Sequence, residues 1–230
     1  IDAAMEPLHA ADIADLLEQI SSGDRRDLLA LWSKGIDGEI LSEIDESIRE
    51  EVIGSLPHEV LSEAVRELES DDVVDLIEDL EEPQQEMILG VLPEPERIAV
   101  ERALAFPEGS AGRLMQREVV TAPEHWTVGE AIDFLRDKAE LPEQFYHVIL
   151  VDPKHRPTGY VTLGKLLSSK RPVRLRDILE DSFRTVGVLE EEADVAYAFN
   201  QYHLISAPVV DQHERLVGVI TIDDAMAVLD

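Results

Sequence analysis

The chain has 230 residues, long enough for two domains with separate cores, and with 44% apolar but only 5% aromatic residues the interior is expected to be Leu, Ile, Val and Ala. Fifty acidic residues against twenty basic ones give a net charge of −30, which disfavours nucleic acid as a partner, because phosphate binding needs a basic face. There is no Cys, hence no disulfide and no thiolate metal site, and no apolar run reaches the roughly 18 residues of a membrane-spanning helix.

The chain starts at Ile1 and not Met, which reads as a piece of a longer protein. Residues 1–109 hold 30 Asp/Glu and 7 Lys/Arg, a net of −23; residues 110–230 hold 20 and 13, a net of −7. Such a density of like charge repels itself. Either a solvated surface or bound multivalent cations would relieve it.

Residues 1–106 show recurring helical faces and no period-2 strand. Leu8, Ile13, Leu16, Leu17 and Ile20 share one face, and Leu28, Leu29, Leu31 and Trp32 follow the Ser21–Asp24 break. Further stripes run through Ile40–Ile44, Ile48–Leu56, Val60–Leu68, Val73–Leu80, Met87–Leu92 and Ile98–Leu104, with Pro57 placed to open one helix. Each unit is about a dozen residues, and one such helix cannot bury its stripe alone, so stacking into a small α-solenoid is expected. Ser70-Asp71-Asp72 reads as an N-terminal cap. Asp71 and Asp75, spaced i, i+4, share a helix face, with Asp72, Glu78 and Asp79 adding charge. Carboxylates so placed suit Mg²⁺ or Ca²⁺, or serve simply as cap and solvated face.

The second half repeats itself. Asp152 and Asp211, Gly159 and Gly218, and Thr162 and Thr221 are each 59 apart; upstream, Leu114 and Leu179, and Ala131 and Ala196, are 65 apart. The first copy is therefore expected to hold six extra residues near Asp137–Gln144. Each copy reads β-α-β-β-α: a short strand (Val119–Thr121; Thr185-Val186), a helix (Val128–Leu135; Ala193–Tyr202), two strands around a tight turn (Val148–Val151 and Gly159–Val161; Pro208–Val210 and Gly218–Ile220), and a final helix (Leu163–Leu167; Asp223–Leu229). No P-loop, zinc motif or nucleophile–base arrangement stands out, so an enzyme is not expected.

The Pro208-Val209-Val210-Asp211 strand and the Gly218-Val219-Ile220-Thr221-Ile222-Asp223-Asp224 segment resemble a tandem CBS pair, a Bateman module. In that family the Thr hydroxyl and Asp carboxylate hold the phosphate and ribose of adenine nucleotides, so the resemblance implies Thr221 and Asp224 as nucleotide contacts. In the first copy Lys165 replaces that Asp. The acidic helices, joined through Phe106–Met115, make the whole chain similar to the cytosolic portion of MgtE-type magnesium transporters. The resemblance implies an all-α superhelical N-terminal domain (residues 1–109) followed by an α/β tandem CBS pair (110–172 and 173–230). It implies a homodimer through the CBS domains, a transmembrane pore after residue 230, and a place on the cytosolic face of the plasma (inner) membrane. Mg²⁺ would bridge the acidic domain to the CBS pair and favour the closed pore. The family's metal carboxylates fall on Glu39, Asp71, Asp75 and Asp224; a further acidic position falls on His203, with Asn200 one turn before. Neutral imidazole is a poor Mg²⁺ ligand, so fewer or weaker sites are implied. The alternative is a nucleotide-sensing CBS module (ATP or another adenine nucleotide) whose helical domain docks proteins.

Overall fold

The computed structural model describes residues 5–78, 80–138, 141–142 and 145–228; Asp79, part of the expected insertion and Leu229 lie outside them. The chain divides into two units at Leu104 and Ala105.

The first unit is helical: α1 (Ala10–Gln19), α2 (Ser22–Trp32), α3 (Gly38–Ser42), α4 (Glu46–Ser55), α5 (His58–Glu67), α6 (Ser70–Glu78), α7 (Glu82–Val91) and α8 (Glu94–Leu104). Side chains start several of them. Ser21, Asp37 and Asp45 each accept a backbone N–H at the head of a helix. Ser70 is the first helical residue and not the cap, because the Val73 N–H already donates to the Glu69 carbonyl.

Helices pack on the next but one. α1, α3, α5 and α7 form one row; α2 packs on α4, and α6 on α8. The true repeat is thus a helix pair of 24 residues. Leu17, Leu41 and Val65 are equivalent and fully buried, as are Leu29, Ile53 and Ile77. The repeat also carries a charge motif. Buried Arg25 donates to the carbonyls of Leu17 (2.7 Å) and Ile20 (3.3 Å) and to Glu51 Oε2 (2.7 Å). Twenty-four residues on, buried Arg49 donates to the carbonyls of Ile44 (3.2 Å) and Asp75 (2.7 Å) and to Asp75 Oδ2 (2.9 Å). Each guanidinium satisfies carbonyls left over at a helix end, which the helix itself cannot do.

The second unit holds two three-stranded sheets of identical topology: β1 (Thr121–Pro123), β2 (His147–Val151) and β3 (Pro157–Thr162), and β4 (Val186–Gly187), β5 (Ser206–Val210) and β6 (Leu216–Thr221). In each, the first strand is parallel to the second and the second antiparallel to the third, with a bulge at the same place. The helices are α9 (Ala111–Leu114), α10 (Val128–Asp137), α11 (Leu163–Ser168), α12 (Glu192–Tyr202) and α13 (Ile222–Ala227).

The structure corrects the repeat offset. The Ala111 N–H donates to the Glu190 carbonyl as that of Leu175 does to Trp126, and the Glu192 N–H to Gly109 as that of Val128 does to Val173. These pairs are 64 apart, not 65, so the first copy carries five extra residues. The first strands also start later than expected, at Thr121 and Val186.

The same bonds show that the leading segments are exchanged. The Gln116 N–H donates to Val219 on β6, while that of Glu180 donates to Tyr160 on β3. Ala111 and Met115 lie in the core with Phe199 and Ile220, and Leu175 lies in the core with Leu150 and Val161. Two conformationally simple residues allow this: a Cβ at Gly218 would stand 2.7 Å from the Gln116 carbonyl oxygen, and one at Gly159 would stand 2.7 Å from Leu179 Cδ2.

Candidate functional site

Glu39 lies in the first turn of α3, 69% exposed at its side chain and 3.9 Å from His9 Nε2. α3 packs on α6, the helix of Asp71 and Asp75. Those two differ in depth: Asp71 is buried, whereas the Asp75 side chain is 55% exposed and joined to Arg49. Among the described residues no group of three or more His, Asp or Glu side chains is arranged to hold a metal. The donor chemistry nevertheless suits Mg²⁺, which keeps several waters and uses one or two carboxylates. Glu39 and Asp75 offer hard oxygens at the surface. Arg49 is a resident cation at Asp75, and the sequence reading missed it; its 24-residue spacing from Arg25 is the signal that would have found it.

In the second unit, Thr221 and Asp224 are brought together. The Thr221 N–H and hydroxyl both donate to Asp224 Oδ2 at 2.7 Å, a reciprocal cap at the start of α13. Beside it, Asp223 accepts from the Tyr146 hydroxyl at 3.4 Å, and burial together with Asp223 pushes the Tyr146 phenol above its ordinary value. Asn200 is exposed on α12. His203 stands just past that helix and not within it, in the left-handed region (φ 53°), where it ends α12.

A cleft at the junction of the two sheets is lined by Gln116, Glu118, Tyr146, His147, Ser206 and Thr221. His147 and Ser206 are repeat equivalents, and the His147 ring nitrogen Nδ1 and the Ser206 hydroxyl are hydrogen-bonded to one another. His147 is buried and lies against the Tyr160 ring, 4.2 Å between centroids; burial holds its pKa below the ordinary 6.5, opposed by Glu180. In the first copy, Lys165 Nζ donates to the Leu179 carbonyl at 3.3 Å and lies 3.6 Å from Glu180 Oε1.

The profile of the MgtE intracellular N domain matches residues 8–109, and that of the CBS domain matches residues 111–171 and 175–230. The fold matches a crystal structure of the cytosolic domain of the Mg²⁺ channel MgtE in complex with ATP, with a TM-score of 0.88 and 30% identity over 98% of this chain and 92% of that one. The chain belongs to the MgtE family. The magnesium transporter MgtE of Thermus thermophilus is 34% identical over 131 residues, and that of Enterococcus faecalis 29% over the same length. Each alignment covers 57% of this chain and 29% of the relative, so the chain spans less than a third of the MgtE transporters it matches. No helix among the described residues is long and apolar enough to cross a membrane.

Proposed function

We propose that this chain is the Mg²⁺-responsive regulatory portion of an MgtE transporter and works on the cytosolic face of the membrane. The observation that carries this reading is an MgtE-type N domain with a net charge of −23 on the same chain as an MgtE-type CBS pair. Closing an acidic domain onto a second acidic surface costs Coulomb energy, about 1 kcal/mol per charge pair at 4 Å in water and more near protein. A divalent ion between carboxylates reverses that sign. Glu39, Asp71, Asp75 and Asp224 are the proposed ligands, with Asn200 and His203 as weaker contributors. Each site is weak, since Mg²⁺ keeps much of its water. Several weak sites present only in the closed arrangement give a steep switch that holds the pore shut when Mg²⁺ is plentiful. The protein acts as a homodimer through its CBS domains and is not a catalyst.

An Mg²⁺ titration of the native chain and of Asp71→Asn/Asp75→Asn, followed by ¹⁵N chemical shifts, tests the ligand assignment. Saturable shifts in α3 and α6 that vanish in the variant support it; identical shifts in both would remove those two residues from the site.

A second reading, adenine-nucleotide binding at the CBS pair, is favoured by the paired Thr221 and Asp224 and by the matched structure that holds ATP. Saturable binding of ATP or AMP without any response to Mg²⁺ would make it the better one.

A further inference from the structure

The two CBS copies place one Thr hydroxyl next to a carboxylate by different means. In the second copy the carboxylate is Asp224, three residues on, in the helix that Thr221 caps. In the first copy the equivalent of Asp224 is Lys165, and the Thr162 hydroxyl instead donates to Glu180 Oε1 at 3.5 Å. Glu180 comes from the exchanged leading segment. Its backbone N–H bonds to Tyr160 as that of Gln116 bonds to Val219, so Glu180 occupies in the first copy the place that neutral Gln116 occupies in the second. The place that the family resemblance implies for a nucleotide in the first copy, the first pocket, therefore holds an acid and a base in contact, Glu180 Oε1 at 3.6 Å from Lys165 Nζ. The matching place in the second copy, the second pocket, has the carboxylate of Asp224, held by the Thr221 N–H and hydroxyl. Both partners of the first pair are only partly exposed, 40% for Lys165 and 30% for Glu180 at their side chains, and the ammonium also donates to the Leu179 carbonyl.

We propose that Glu180 is a tethered anion that occupies Lys165 and thereby selects against phosphate-bearing ligands in the first CBS pocket. A phosphate group has to displace the Glu180 carboxylate before it can reach the ammonium, whereas an uncharged nucleoside does not. The two pockets then differ in ligand class although their backbones are equivalent. This rests on the nucleotide-binding reading of the CBS pair.

The test compares AMP with adenosine on the full chain, following the backbone amides of Thr162 and Lys165 for the first pocket and of Thr221 and Asp224 for the second. Glu180→Gln is expected to tighten AMP at the first pocket by about two- to five-fold, the scale of a partly exposed ion pair, and to leave adenosine unchanged. Lys165→Met in the Glu180→Gln background is expected to remove that gain, and Glu180→Ala serves as the second variant. Unchanged or weaker AMP binding in both Glu180 variants, or an equal gain for adenosine, would overturn the proposal. AMP that moves only Thr221 and Asp224 in every form would overturn it while leaving the nucleotide reading intact. AMP that moves neither pocket in any form would end both.

Discussion

The helical domain and the CBS pair are both internally repeated, and they have kept different things. In the helical domain the repeat preserves a charge pair: Arg25 with Glu51 and Arg49 with Asp75 hold the same places 24 residues apart. In the CBS pair the repeat preserves backbone, down to a bulge and a left-handed residue at matching places, His155 (φ 62°) and Glu214 (φ 61°). Its charges have diverged, with Asp224 in one copy and Lys165 with Glu180 in the other. A solenoid helix has few neighbours, so its buried Arg must finish the carbonyls of the adjacent helix end each time. A sheet satisfies its own backbone, which leaves side chains at the strand–helix junction free to differ.

The largest effect that would break this comparison is loss of the repeated Arg. Arg49→Met and Arg25→Met each strand buried carbonyls and take a guanidinium away from its carboxylate, at an expected cost of about 3 kcal/mol in urea unfolding. Equal costs support structural equivalence; a negligible cost for Arg49 alone would mean that Asp75 is not held as Glu51 is.

A smaller effect separates the CBS copies. At Gly218 an added methyl meets the Gln116 carbonyl oxygen, part of the backbone, whereas at Gly159 it meets the flexible end of Leu179. Gly218→Ala is expected to cost about 2 kcal/mol and Gly159→Ala about half that, read by thermal melting. The reverse order would argue against the exchange of leading segments.

The smallest is pH-dependent. His147 titrates lower in the folded chain than its ordinary 6.5, because burial disfavours its charged form. The unfolded chain then binds the proton more readily, so this contribution is present above pH 6.5 and is lost as pH falls through 6.5 towards the depressed folded value. His147→Gln is expected to flatten that part of the stability profile measured from pH 7.5 to 5; an unchanged slope would assign it to other groups.

Much of the CBS pair was legible because turn residues, Gly and Thr recur at a fixed spacing and each has a local physical cause. The Thr221–Asp224 cap is local too, and the sequence shows both partners. The one-residue error in the leading offset has a physical origin: Leu and Ala recur on any helix, so Ala131 aligns as readily with Ala196 as with its true equivalent, Val195. Glu180 was invisible because it lies between the two recognisable motifs and acts in the copy that precedes it. In the solenoid the apolar stripes were legible and the 24-residue period was not, since successive helices carry similar stripes and only packing pairs them. Asp71 and Asp75 share a spacing that predicts one face, yet their depths differ, and Arg49, which is distant in sequence, was not predictable from either.

The central claim is that Mg²⁺ relieves the self-repulsion of the acidic domain and favours a closed arrangement. Small-angle X-ray scattering of the native chain, titrated from EDTA to tens of millimolar MgCl₂ with KCl at matched ionic strength, tests it most directly. The account predicts a saturable fall in the radius of gyration with MgCl₂ that KCl does not reproduce and that Asp71→Asn/Asp75→Asn weakens. Superimposable profiles in the two salts would contradict it.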